Sequence, residues 1–235
     1  DVSVCAHIAA AVISWSQAEK NGVPLPDSAS DGSSSASLRA PAGLGYRFSR
    51  SERGMVLHRV LIRDGEEKPL VGGLMGRMAQ DVALMSEPRD LEIERVMALR
   101  WGKLIQRELA PRLCTAMSGA SGVQLDGVPI QVSAEPVLPL GWVDDDPNPE
   151  NPDGFRVRLV RDPDIIEPLR SDMVRCRSEA GECIRFIGTG GIAKEERHRL
   201  YRGLSYGSSE VGQLVGQLIP RLRSRVPVKV QTQRL

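Results

Sequence analysis

The sequence predicts an α+β protein, with an N-terminal helical part containing a short β element and then a mixed, mainly antiparallel sheet closed by C-terminal helices. Three observations support this class. Apolar residues recur at helical spacing in residues 86–113. Short apolar segments separated by glycine and proline fill residues 121–187, as is typical of strands. Helical spacing then returns in residues 193–225.

The change of pattern near residue 120 favours two subdomains. We predict that residues 1–120 form a mainly helical subdomain with a flexible 23–43 loop, rich in serine, proline, aspartate and glycine. Residues 121–235 are predicted to form a β-rich subdomain with basic C-terminal helices. A single interwoven domain is the main alternative, and 235 residues suit either arrangement.

The clearest helical signal is that of residues 86–113. Its acids cluster in the first half and its bases in the second, which complements the helix dipole. Pro111 is expected to end or kink the helix because proline lacks a backbone donor. The apolar stripe, interpreted as the spine of a core, contains Ile93, Val96, Met97, Trp101, Leu104, Ile105 and Leu109.

The remaining elements are predicted from shorter patterns. In the first half we expect helices in residues 2–20 and 72–85, strands in residues 46–48 and 55–62, and a turn at Asp64 and Gly65. In the second half we expect strands in residues 123–125, 128–132, 137–143 and 155–160, a hairpin formed by residues 173–177 and 183–187, helices in residues 193–203 and 208–225, and an edge strand in the tail. The acidic segment 144–154 is interpreted as a solvated linker.

Cysteine usage and hydropathy indicate an intracellular, cytoplasmic protein with no membrane association. The four cysteines are scattered and do not suggest a disulfide framework. No apolar run is long enough to span a bilayer. Neither Cys5 with His7 nor Cys176 with Cys183 has the spacing of a zinc site, so we expect no metal and no cofactor.

Charge is unevenly distributed along the chain. Residues 126–184 carry thirteen acids and six bases, whereas residues 185–235 carry ten bases and three acids, so the two segments have net charges of −7 and +7. Such asymmetry is typical of a surface for nucleic acid or an acidic partner. Docking of one half of the fold against the other is an alternative explanation.

The C-terminal basic segment supplies the main candidate site. Phosphate contacts need a high density of fixed positive charge, and aromatic side chains interspersed with it can stack on bases. The candidate residues for nucleic-acid binding are Lys194, Arg197, His198, Arg199, Tyr201, Arg202, Arg221, Arg223, Arg225 and Lys229. The alternative is a solvated helix face in which Glu195 and Glu196 pair with the helix's own arginines.

A glycine-rich loop is the second candidate. Gly188, Gly190 and Gly191 lie between a predicted strand and a predicted helix, where free backbone donors can hold a phosphate. Only one late strand follows, however, and a dinucleotide-binding fold requires repeated βα units. A plain strand-to-helix turn is the alternative interpretation.

These patterns favour a non-catalytic subunit of a nucleoprotein assembly. The basic C-terminal region is expected to contact a nucleic-acid backbone, and the apolar helices to contact other protein subunits. One alternative is an enzyme acting on a phosphorylated substrate or nucleic acid through the 188–191 loop, with His198 as a further candidate. Another is a structural scaffold that pairs acidic and basic surfaces. The sequence leaves enzymatic activity uncertain and favours its absence.

Overall fold

The computed structural model of the chain describes residues 40–81, 83–98 and 103–235. Residues Ala40–Leu235 form one compact unit in which helices and several open sheets are mixed, so the α+β class is confirmed. The predicted helix 2–20 and most of the predicted loop 23–43 lie outside the described residues. At the end of that loop, Ala42 is 1% exposed and Gly43 begins a strand. The division near residue 120 stays a prediction.

The first sheet has five strands in the order β3-β2-β1-β4-β5. Their bounds are β1 (Gly43–Ser51), β2 (Gly54–Arg63), β3 (Glu66–Pro69), β4 (Val123–Leu125) and β5 (Val128–Pro129). The predicted turn is confirmed: Asp64 and Gly65 have φ of 52° and 80° and connect β2 to β3. The β element is longer than expected, because β1 pairs with β2 along its whole length and with β4 in parallel.

Three helices pack near this sheet, namely α1 (Leu74–Gln80), α2 (Pro88–Ala98) and α3 (Ala110–Met117). The prediction of one helix through residues 86–113 was wrong. Leu104 forms a β-bridge with Val56, and the Ile105 N–H donates to the Met55 carbonyl at 2.8 Å. The backbone of Leu104 and Ile105 therefore pairs with β2 and does not continue a helix. Pro111 lies in the first turn of α3 instead of ending a longer helix.

The first core joins the first sheet to α2 and α3. Tyr46, Phe48 and Met55 from the strands pack in one buried cluster with Ile93 and Leu113 from the helices. The Tyr46 hydroxyl donates to the Asp90 carboxylate at 2.5 Å. This buried polar pair ties β1 to the first turn of α2.

The second sheet has four strands in the order β6-β11-β10-β9. Their bounds are β6 (Gln131–Val132), β9 (Ile165–Pro168), β10 (Met173–Ser178) and β11 (Gly181–Phe186). The predicted hairpin is confirmed as β10 and β11. The predicted strand 128–132 was wrong as a single element, because its two ends pair in different sheets as β5 and β6. Strand β9 was not predicted.

The third sheet positions the candidate site, and its order is β12-β8-β7-β13. Its strands are β7 (Leu140–Asp145), β8 (Phe155–Val160), β12 (Leu204–Tyr206) and β13 (Val228–Val230). The predicted strand 155–160 and the predicted edge strand in the tail are confirmed. The interpretation of residues 144–154 as a solvated linker was wrong in one respect. Asp146 is buried and accepts hydrogen bonds from the Asn148 backbone and the Asn151 side chain.

Residues of the C-terminal helices share a core with strands of the third sheet. Helix α4 spans Lys194–Arg202, as predicted, and is followed by a helical run over residues 208–223. That run consists of a 3-10 turn (Ser208–Glu210), α5 (Val211–Gln213), a π-helical segment (Leu214–Leu218) and α6 (Ile219–Arg223). Leu200 of α4 and Leu222 of α6 share a second core with Val143 and Val157 from the strands.

Candidate nucleic-acid interface

Helix α4 is held in a fixed orientation by its ends and by one buried residue. Glu195 and Glu196 lie in its first turn, and Arg199 and Arg202 lie in its last turn, as the helix dipole favours. Leu200 is fully buried in the second core. The direction in which the polar side of α4 faces is therefore set by the packing of this leucine.

The end of α4 is coupled to β8. Gly203 ends the helix with φ of 92°, and a Cβ at this position would lie 2.4 Å from the Arg156 Nε. Arg156 passes close to the glycine and donates to the Arg202 carbonyl at 2.9 Å. The Arg156 side chain thus occupies the space that a larger residue at position 203 would need.

Five of the candidate residues share one side of α4, which we call the α4 basic face. Each lies three or four residues from at least one other member of the set, the spacing that aligns side chains on a helix. All are exposed except one, Arg197, which is partly buried. Tyr201 is 49% exposed, so its ring is accessible to a ligand. The face consists of Lys194, Arg197, His198, Tyr201 and Arg202.

Arg199 points to a different side of α4. It lines an open cleft of about 430 Å³ together with Arg221, Glu195 and Glu196. Tyr206 of β12 also lines this cleft and packs partly against the second core. Of the sequence-predicted residues, five thus lie on the α4 basic face and two, Arg199 and Arg221, line this mixed-charge cleft. Arg223, Arg225 and Lys229 lie outside both.

Two of the predicted cations are paired within the fold. The Glu196 carboxylate forms an ion pair with Arg221, and its other oxygen lies 3.4 Å from the Arg225 Nη1. Glu196 therefore does not pair with the arginines of its own helix, which was the alternative for the two glutamates. Its partners are Arg221 in α6 and Arg225 just after α6. Pairing across elements gives these cations a role in folding.

Two further cations of the basic segment form ion pairs with acids of residues 126–184. Arg185 pairs with Glu135 at 3.1 Å, and Arg234 pairs with Asp145 at 2.8 Å. The Asp145 carboxylate also accepts from the Thr232 hydroxyl at 2.7 Å. These two donors, Thr232 first and then Arg234, hold the pKa of Asp145 below its usual range.

The remaining bases of residues 185–235 are free of such pairing. Within the described part of the chain, none of them lies within ion-pair distance of an acid. Four lie on α4, one ends α6 and one lies in β13. We call them the unpaired cations: Lys194, Arg197, Arg199, Arg202, Arg223 and Lys229.

The glycine loop has the predicted context, since it follows β11 and precedes α4. Two of its three glycines, Gly188 and Gly190, lie close to neighbouring segments. A Cβ on Gly190 would lie 2.6 Å from the Arg225 carbonyl oxygen, and one on Gly188 would lie 2.8 Å from Leu138. The Gly191 N–H donates to the Thr189 hydroxyl at 3.3 Å. Close backbone approach to neighbouring segments thus explains Gly188 and Gly190 without a bound phosphate.

A feature that the sequence reasoning missed lies on the other face of the third sheet. Lys229, Trp142 and Arg158 are directly opposite one another in β13, β7 and β8, and we call them the outer row. They alternate with residues of the second core, so they point away from the helices. The alternation of residues 155–160 indicated the outward position of Arg158, but the pairing of β7 with the distant β13 had no local signal.

Residues 40–81, 83–98 and 103–235 contain no cluster of three or more histidines, cysteines, aspartates or glutamates arranged to hold a metal ion. In the same residues, no helix combines the length and the apolar character that crossing a bilayer requires.

The chain was compared with known proteins in three ways. A scan against protein-family models, a search of curated proteins and a search of solved structures found no significant match. Functional inference therefore depends on the geometry of the chain itself.

Proposed function

We propose that this chain is a non-catalytic subunit of a nucleoprotein assembly and contacts a nucleic-acid backbone through its basic C-terminal region. The observation that carries the proposal is the set of six unpaired cations, four of them on one helix. An unpaired surface cation can bind a phosphate without first breaking an internal ion pair. The α4 basic face is the proposed centre of the contact, with His198 and Tyr201 beside the cations.

The other predicted residues have a subordinate part in this proposal. Arg221 and Arg225 share Glu196, so their charge is partly neutralised before any ligand arrives. Arg199 lies at the same cleft. We propose that the C-terminal helices close one side of the mixed sheet and present their polar side to the nucleic acid.

Protein contacts are assigned to the first part of the described chain. Val71, Met75 and Met85 are 73%, 62% and 68% exposed, which is unusual for side chains of this size. Methionine adapts its shape to a partner surface because it is unbranched and polarisable. We propose that these residues contact other subunits of the assembly.

Fluorescence anisotropy with labelled single- and double-stranded DNA and RNA, at two salt concentrations, tests the nucleic-acid contact. The informative variant replaces the three cations of the α4 basic face, Lys194, Arg197 and Arg202, by alanine. Each phosphate contact contributes about 0.9 to the log–log salt slope for duplex DNA, so loss of three contacts should reduce the slope by about two to three.

The matched control removes the same net charge elsewhere. Lys68, Arg95 and Arg107 have side chains 76%, 77% and 72% exposed and lie on other elements. Their triple alanine variant should bind almost as the parent does. An equal loss in both variants, or no binding by the intact chain, would overturn the proposal. In the second case the charge asymmetry would belong to protein contacts, as in a scaffold.

A further inference from the structure

The outer row combines an aromatic ring with a cation on each side. Lys229 pairs in register with Trp142, which pairs in register with Arg158. Neighbouring strands are about 4.8 Å apart, so the two cations flank the indole at short range. Trp142 is partly exposed, and Lys229 is exposed and belongs to the unpaired cations. Arg158 forms an ion pair with Asp144, with 3.0 Å between the Arg158 Nη2 and the Asp144 Oδ2.

Arg156 links the outer face of the third sheet to the end of α4. Arg156 is directly opposite Asp144 in β7 and Ser205 in β12, so it lies on the same outer side as the outer row. Its guanidinium reaches the last turn of α4 through the hydrogen bond to the Arg202 carbonyl. Arg156 thus places a further positive charge in β8 between the outer row and the last turn of α4.

We propose that the nucleic acid bound by this chain is single-stranded, and that one of its bases stacks on Trp142 while Lys229 and Arg158 hold the adjoining phosphates. This inference rests on the proposed function and specifies its ligand. The face of a base is accessible to an indole only when the base is unstacked, which a duplex does not permit without distortion. An aromatic ring between two cations matches the alternating base and phosphate of a single strand.

Substitution of Trp142 is the direct test. Base stacking on an aromatic side chain contributes about 1–3 kcal/mol, so Trp142→Leu should weaken binding of a single-stranded oligonucleotide by about 5- to 150-fold. Trp142→Phe keeps an aromatic face and should retain most of the affinity. Binding of duplex DNA should be weaker than that of the single strand in the parent chain and should change less than about twofold in either variant.

Lys229 provides a second variant that does not disturb a partly buried side chain. Lys229→Ala should reduce the single-strand salt slope by about 0.7, the contribution of one phosphate contact. Lys68→Ala is its matched control, because Lys68 is also an exposed lysine on an edge strand. Circular dichroism of each variant establishes that it is folded. If Trp142→Leu is unfolded, a second measurement replaces its binding assay. Quenching of tryptophan fluorescence by the oligonucleotide is then compared between the parent and Trp142→Phe.

The outcomes separate this inference from the proposed function. Equal affinity for single strand and duplex, with no effect of Trp142→Leu, would overturn the stacking inference and leave backbone binding by α4 intact. Binding of no nucleic acid at all would overturn both. A single-strand preference that depends on Trp142 supports the inference for DNA or for RNA, and comparison of the two oligonucleotides identifies which is the ligand.

Discussion

The paired and the unpaired cations of residues 185–235 differ in what their charge does for the chain. Arg221 and Arg225 face Glu196, and Arg185 and Arg234 face acids of the preceding segment. The cations of α4 face solvent or an open cleft. Net charge counted along the sequence therefore overstates the surface available to a ligand, because part of it is used to hold the fold together.

The largest expected effect comes from removing the residue that anchors the unpaired group. Leu200 is fully buried, so Leu200→Ala leaves a cavity between α4 and the third sheet. We expect the free energy of unfolding to fall by about 2–5 kcal/mol in urea denaturation. Tyr201→Ala, at the exposed neighbouring position, is the control and should cost less than about 1 kcal/mol. Similar losses at both positions would contradict the packing described for α4.

A smaller effect should follow from converting paired cations into unpaired ones. Glu196→Gln removes the charge shared by Arg221 and Arg225. If the proposed function holds, the affinity for nucleic acid should rise and the duplex salt slope should steepen by about one to two. These ion pairs are partly exposed, so stability should fall by less than about 1 kcal/mol.

Glu195→Gln controls for charge alone in that experiment. Glu195 lies on the same helix, and within the described residues it forms no ion pair. Its variant should change the salt slope less than Glu196→Gln does. Equal changes would show that long-range charge, and not release of the two arginines, controls binding.

The smallest expected effect concerns the paired group at the end of the chain. Thr232→Val removes the hydroxyl that donates to Asp145, so the pKa of Asp145 should rise toward its usual value of about 3.9. The depressed pKa stabilises the folded chain above that value, and this contribution is lost as the pH falls through the folded pKa. An NMR titration of the carboxyl carbon measures the shift, and Gln233→Ala, which should leave it unchanged, is the control.

Local patterns predicted the elements whose structure depends on local residues. The hairpin of β10 and β11, the alternating strand β8 and helix α4 were all predicted from periodicity and turn residues. Periodicity gave a wrong prediction where pairing with a distant strand determined the backbone conformation. Leu104 and Ile105 keep helical spacing with the preceding residues, yet their backbone pairs with the first residues of β2, which β3 does not reach. That part of β2 satisfies the same backbone donors and acceptors as a helix would.

The predicted helix 208–225 shows a second limit. Pro220 cannot donate to the carbonyl four residues earlier, so it disturbs the ladder of a regular α-helix. The π-helical segment Leu214–Leu218 lies directly before α6, which contains this proline. The candidate site was likewise only partly predictable. Composition located the cations of α4, whereas the sharing of Glu196 by Arg221 and Arg225 depends on how separate elements meet in space.

The parallel pairing of β13 with β7 has a consequence for the order of folding. Val228 pairs with Gly141, so this contact closes a long loop and is expected to form slowly. During synthesis β7 and β8 are made well before β13, which is the edge strand beside β7. The apolar side of β7 and β8, which includes Val143 and Val157, lacks this strand until then. Nascent chains of this protein should therefore depend most on chaperones while β13 is still in the ribosome.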